Sequence, residues 1–139
     1  IMSVQILKDS TRELVVKVTK YAGTVDTNTS IVDASTLIGA DALATFNELA
    51  LTNAQWFINV GTIQLIWAGG TPSVFANLVG NGSFRYTGGE FILIKNDAVT
   101  PTGDVLLTGK DWAANSAYTI ILTFTKLSGF NRGGVDSVS

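Results

Sequence analysis

The sequence predicts an all-β fold: an antiparallel β-sandwich, jelly-roll-like, of about nine strands. Three observations carry that expectation. Short apolar runs alternate with polar residues at a period of two, Gly and Asn punctuate the runs, and no stretch holds a 3.6-residue apolar period long enough for a packed helix. Hydrophobic residues make up 46% of the 139 and charged ones only 14%, enough apolar material for one core in one domain.

Element by element, Arg12 to Tyr21 places Leu14, Val16 and Val18 on one face and Glu13, Lys17 and Thr19 on the other, a half-buried strand. Gly23 to Thr29 reads as a turn and Ser30 to Ala34 as a short strand. Thr36 to Asn53 mixes signals: Asp41 is a good cap for a turn or helical turn, and alternation from Glu48 onward favours a strand from about Asn47 to Ile58. Thr62 to Ala68 is the next strand, closed by Gly69-Gly70-Thr71-Pro72. Val74 to Val79 and Ser83 to Thr87 read as a hairpin reversed at Gly80-Asn81-Gly82, because Asn-Gly tolerates the positive φ of a tight turn. Gly88-Gly89 turns again, Phe91 to Ile94 is a strand, Asn96 to Gly103 a polar loop containing Pro101, and Asp104 to Thr108 another strand. After a Trp112-bearing turn, Tyr118 to Leu127 is the clearest strand, with Tyr118, Ile120, Leu122, Phe124 and Lys126 on one face. Residues 1–10 read as an N-terminal arm, 11–127 as the sandwich domain and 128–139 as a flexible Gly- and Ser-rich C-terminal tail.

The composition also bounds function. The chain has no His, no Cys and a single Met, which closes the usual routes to a neutral-pH general base, a thiolate nucleophile or a zinc site. A net charge of −2 provides no basic field for phosphate, so no nucleic-acid partner is expected. No run reaches the roughly 18 apolar residues of a membrane helix, and the start lacks the basic-then-apolar pattern of a leader, so synthesis in the cytoplasm with no membrane partner is expected.

The individual motifs favour plain structural roles. Gly88-Gly89-Glu90-Phe91 spells the signature of diguanylate cyclases, but that family uses a larger α/β domain and helical periodicity is missing here, so a β-turn is expected. Asp97, Asp104 and Asp111, with Asn96, offer oxygen ligands for Ca²⁺ only if their loops converge, and their spacing lacks the D-x-D-x-D-G pattern; turn chemistry is the expectation, with no metal and no cofactor. Asp9, Glu13, Asp26, Asp33, Asp41, Glu48 and Glu90 are scattered acids with nothing to bring two of them to the spacing of a glycosidase pair. Asn28-Thr29-Ser30 and Asn81-Gly82-Ser83 match glycosylation sequons and are expected to be turns. Trp56 and Trp67, inside strands, are expected in the core; Trp112, in a loop, is the candidate exposed contact, competing with a role as a lid over the core. No catalytic residue is assigned, and the chain is expected not to be an enzyme.

From Ala54 to Leu127 a series of blocks occurs in order: Trp56-Phe57, Trp67-Ala68, Leu78-Val79-Gly80-Asn81-Gly82-Ser83-Phe84, Thr102-Gly103-Asp104-Val105-Leu106-Leu107-Thr108 and Tyr118-Thr119-Ile120-Ile121-Leu122. This pattern resembles a group of small virion structural proteins of tailed bacteriophages, many from marine phages. The resemblance covers a little over half the chain and is weaker from Ile1 to Asn53. It implies a capsid decoration or cement protein that stabilises the shell through subunit contacts, is made in the host cytoplasm and resides in the virion. The partners it implies are other copies of the chain, in a homo-oligomer such as a trimer, and the major capsid or other virion proteins. The alternative is a glycan-binding module of a phage tail or spike, built on Trp112. An apolar composition with little charge fits surface buried between subunits.

Overall fold

A computed structural model describes residues 2–44, 46–85 and 94–130. Eight strands run antiparallel in one hydrogen-bonded sheet, and no α-helix occurs among the described residues: β1 (Ser3–Asp9), β2 (Glu13–Tyr21), β3 (Thr29–Val32), β4 (Leu49–Thr71), β5 (Ser73–Arg85), β6 (Ile94–Lys95), β7 (Val99–Lys110) and β8 (Ala117–Lys126). The sheet order is β1-β2-β8-β4-β7-β3, with β5 and β6 also on β4. The result is a single, nearly barrel-shaped sheet.

The alternation read in β2 and β8 is the alternation of the core. Nine consecutive pairs, from Glu13 opposite Thr125 to Tyr21 opposite Ala117, join these strands without a bulge. Leu14, Val16 and Val18 are fully buried, as are Ile120, Leu122 and Phe124. Because side chains change face at every residue, unbroken register keeps the whole apolar set on one side.

β4 organises everything else. Its 23 residues were expected as two strands, but the chain bends rather than stops near Gly61. Up to Ile58 the strand pairs with β8; from Thr62 onward it pairs with β7. Gly61 holds φ +91°, and a Cβ there would lie 2.6 Å from the Lys110 carbonyl oxygen, so glycine is required by backbone conformation and by space alike. β5 follows the bend as one strand. Its pairing jumps from Asn81 opposite Phe57 to Val79 opposite Thr62, with Gly80 at φ +63° absorbing the step. The hairpin expected at Gly80-Asn81-Gly82 is therefore a bulge, a second use of the same positive φ.

Bending brings the two halves of the sheet together. Trp67, on the second half of β4, meets Phe124 of β8 edge to face at 6.1 Å and stacks on Phe75 of β5 at 4.0 Å. Trp67 is fully buried in the cluster with Leu65, Leu107, Leu122 and Phe124, and Trp56 packs half-buried at its margin, as expected of tryptophans in strands.

Several boundaries differ from expectation. Residues 3–9, read as part of an arm, are hydrogen-bonded to β2 as β1. The short strand at Ser30 ends at Val32, because Asp33 caps a 3₁₀ turn over Ala34–Thr36 by accepting from the Ser35 amide. The polar loop at Asn96 to Gly103 shortens, since β7 already begins at Val99, with Pro101 opposite Gly69. The turn at Asp41 forms, with its carboxylate accepting from the Leu43 amide at 2.9 Å. The start of the tail is anchored: the Gly129 carbonyl accepts from the Asp41 amide and from Asn47 Nδ2, and Phe130 is buried and bridges to Ala40. The Gly88-Gly89-Glu90-Phe91 motif, the first three residues of the strand expected from Phe91 to Ile94, and the tail from 131 to 139 lie outside the described residues, and Ile94 itself begins β6.

Candidate functional site

The outer face of the β2-β8-β4-β5 half carries a groove of about 940 Å³. Register builds it. Thr19, Thr119, Phe57 and Asn81 lie side by side on four adjacent strands, and Tyr21 and Ala117 form the next row. Small side chains on β8 leave a floor, while Tyr21 on β2 and Phe57 on β4 rise on either side, 74% and 66% exposed. Two aromatic rings this open on one sheet face are not needed for the core.

Behind the groove, the inward residues of the same rows close the end of the barrel. Lys20 is buried, and its ammonium donates to Asp26 Oδ2 at 2.8 Å and to the Thr24 carbonyl. The same nitrogen lies 5.3 Å from the centroid of the Trp112 ring. Trp112 Nε1 donates to the Gly23 carbonyl at 2.9 Å, and the ring meets Tyr118 edge-on at 5.9 Å. The candidate exposed contact is thus half-buried with its polar atom already committed: Trp112 is a lid over the core, and the exposed aromatics are Tyr21 and Phe57. The Tyr118 hydroxyl is buried with no partner among the described residues, and burial, then the negative charge of Asp26, raises its pKa well above the ordinary phenol value.

At the opposite end, Lys126 is 1% exposed. It ion-pairs with Asp9 and donates to the carbonyls of Ser10 and Ile38, at 2.6 and 2.7 Å. One ammonium thereby ties β8 to the β1–β2 turn and to the loop after the 3₁₀ turn. The alternation of β8 already pointed Lys126 inward, but nothing in the sequence identified Asp9 as its counter-charge.

Three further acids also have structural partners. Glu13 pairs with Lys8 at 2.9 Å, Glu48 accepts from Ser128 Oγ at 3.0 Å, and Asp104 accepts from the Ala34 amide at 3.2 Å. Burial raises the Asp104 pKa, opposed by that amide and reinforced by the neighbouring Asp33. Asn96 caps its own turn through the Ala98 amide, and Asn28, at φ +48°, is joined to Thr108. Among the described residues no three acids gather as a metal site, so Asp97, Asp104 and Asp111 do not converge. Asn81, the second sequon residue, is in β5 on the groove face rather than in a turn.

The third feature is an edge. Val4 and Ile6 lie opposite Val18 and Val16, so they are in register with the core-facing set. Yet they are 38% and 53% exposed, and β1 pairs with β2 alone. The buried core reaches β2, whose Leu14, Val16 and Val18 are fully buried, and stops short of β1.

Comparison of the chain with protein-family models, with curated proteins and with solved structures finds no match.

Proposed function

We propose that this chain is a structural component of a tailed-phage virion, a capsid decoration or cement protein that works through subunit contacts and carries out no reaction of its own. The observation that supports this reading best is β1: apolar side chains in the core register but outside the core, on a strand whose second edge has no partner among the described residues. Such an edge is an aggregation liability on a solitary protein and an asset on one that is covered by a neighbour. The ordered blocks from Trp56 to Leu122 support the phage assignment, by resemblance. In this proposal the partners are other copies of the chain and the major capsid or other virion proteins, and the shell surface is its destination. Repetition over a symmetric shell allows weak individual contacts to hold. The jelly-roll-like sandwich belongs to the same proposal; the β4–β5 ribbon shared by the two halves of the sheet, which meet across Trp67 of β4 and Phe124 of β8, is the feature that supports it.

Quantitative mass spectrometry of density-purified particles tests the assignment. Many copies per particle, removed by washing only after the shell is destabilised, is the expected result; absence of the chain from purified particles would refute it.

A further inference from the structure

We infer that the groove between Tyr21 and Phe57 binds a neutral oligosaccharide, held by stacking on the two rings and by hydrogen bonds to Thr19, Thr119 and Asn81. This site goes beyond the structural role proposed above and does not depend on it.

The chemistry of the groove selects the ligand class by three steps. The first concerns backbone. The floor strand β8 has β2 on one side and β4 on the other throughout the groove, so its amides and carbonyls are already engaged. An extended peptide therefore finds no open edge on the floor; the edge of β5 that has no partner among the described residues faces away from β4, so a ligand seated across β8 must be recognised by side chains.

The second concerns charge. The only charged residue lining the groove is Lys20, and its ammonium is buried and paired with Asp26. No carboxylate lines the groove among the described residues. A phosphate or acidic ligand finds no free cation here, and a cationic one finds no carboxylate, only the ring faces; an uncharged ligand loses nothing.

The third concerns the surface that remains. Tyr21 and Phe57 are on strands separated by β8 and are offset by two residues along them, which puts their Cα atoms ~12 Å apart from strand spacing and rise. Thr119 lies between the ring-bearing positions, Thr19 is two residues from Tyr21 on β2, and Asn81 is on the far side of Phe57 on β5. Pyranose rings match that alternation, because their C–H faces are apolar and weakly positive, suited to the negative face of an aromatic ring, while their hydroxyls both donate and accept. The volume of about 940 Å³ is of the size that holds a small ligand in a concave site.

The test is titration of the full chain with a panel of neutral oligosaccharides of glucose, galactose, mannose and N-acetylglucosamine. Amide shifts in nuclear magnetic resonance provide the readout, with the same sugars in sulfated form as the charged comparison. At least one neutral probe is expected to bind saturably and to shift amides at Thr19, Phe57, Asn81 and Thr119. Tyr21→Ala and Phe57→Ala are each expected to weaken it at least about tenfold, the worth of one aromatic contact, with unchanged unfolding midpoints. Leu43→Ala, at a still more exposed apolar site elsewhere, is expected to leave binding intact. The inference is overturned if no neutral probe binds at millimolar concentration, if only sulfated probes bind, or if Phe57→Ala leaves affinity unchanged. It is also overturned if Phe57→Ala instead dissociates an oligomer, which would make this face a contact between copies.

Discussion

Lys126 is the single side chain on which the lower end of the molecule converges, since Asp9, Ser10 and Ile38 all depend on its ammonium. Lys126→Met fills much of the same space but removes the counter-charge of Asp9, which keeps only the Ile38 amide at 3.0 Å, and leaves two carbonyls without their donor. Removing one member of a buried pair typically costs about 3–5 kcal/mol, and urea denaturation of the variant is expected to show a loss in that range; a loss under about 1 kcal/mol would mean that water replaces the ammonium. Asp104 behaves in the opposite sense. Its pKa is raised in the folded chain, chiefly by burial, so the folded state holds that proton more tightly than the unfolded state. The stabilising contribution is complete below the unfolded value of 3.8 and disappears as pH rises through the higher folded value. Asp104→Asn, which keeps an acceptor for the Ala34 amide, is expected to be at least as stable as the parent at pH 7, with its relative advantage shrinking on acidification to pH 4. Equal destabilisation at both pH values, measured by thermal unfolding, would contradict this origin. These residue-level features were only half visible in the sequence. The inward direction of Lys126 follows from period two, whereas its partner lies 117 positions away and could not be read from spacing.

Among the elements, β2 and β8 were legible because nothing interrupts their alternation, and the same rule fixed their register once they met. β4 and β5 were not. Asn59-Val60-Gly61 and Gly80-Asn81-Gly82 carry the residues of tight turns, but those residues report only that the backbone tolerates positive φ, not that the chain reverses. Here the two positive-φ glycines bend a paired ribbon so that β4 exchanges β8 for β7. Gly61→Ala is expected to cost at least about 2 kcal/mol, from an L-residue at left-handed φ and a Cβ against the Lys110 and Asp111 carbonyls. Gly80→Ala, with nothing within 4 Å of its Cβ, is expected to cost less, from backbone conformation alone. Equal losses for the two, in the same denaturation experiment, would show that the bend does not depend on close packing at Gly61. Trp112 was ambiguous for a related reason. A loop tryptophan is either a contact or a lid, and only the position of the Gly23 carbonyl decides between them.

At the scale of the molecule, the all-β class followed from composition and periodicity, while the path of the sheet followed from a bend that neither records. The grooved outer face was equally hidden, since Tyr21, Phe57 and Asn81 are distant in sequence and become neighbours only through the registers of β2, β8, β4 and β5. The open edge at β1 is a property of the whole: Val4 and Ile6 are ordinary strand residues until the buried core ends before reaching them. Both side chains are already partly covered, so burying the exposed remainder of each is worth about 0.5–1.5 kcal/mol, and a symmetric contact counts it twice. The account therefore expects β1 to be completed by a neighbour. Native mass spectrometry of the purified chain across micromolar concentrations addresses this directly. An oligomer that Ile6→Lys reduces to folded monomer is the result expected, and a monomer at every concentration for the parent chain would contradict it.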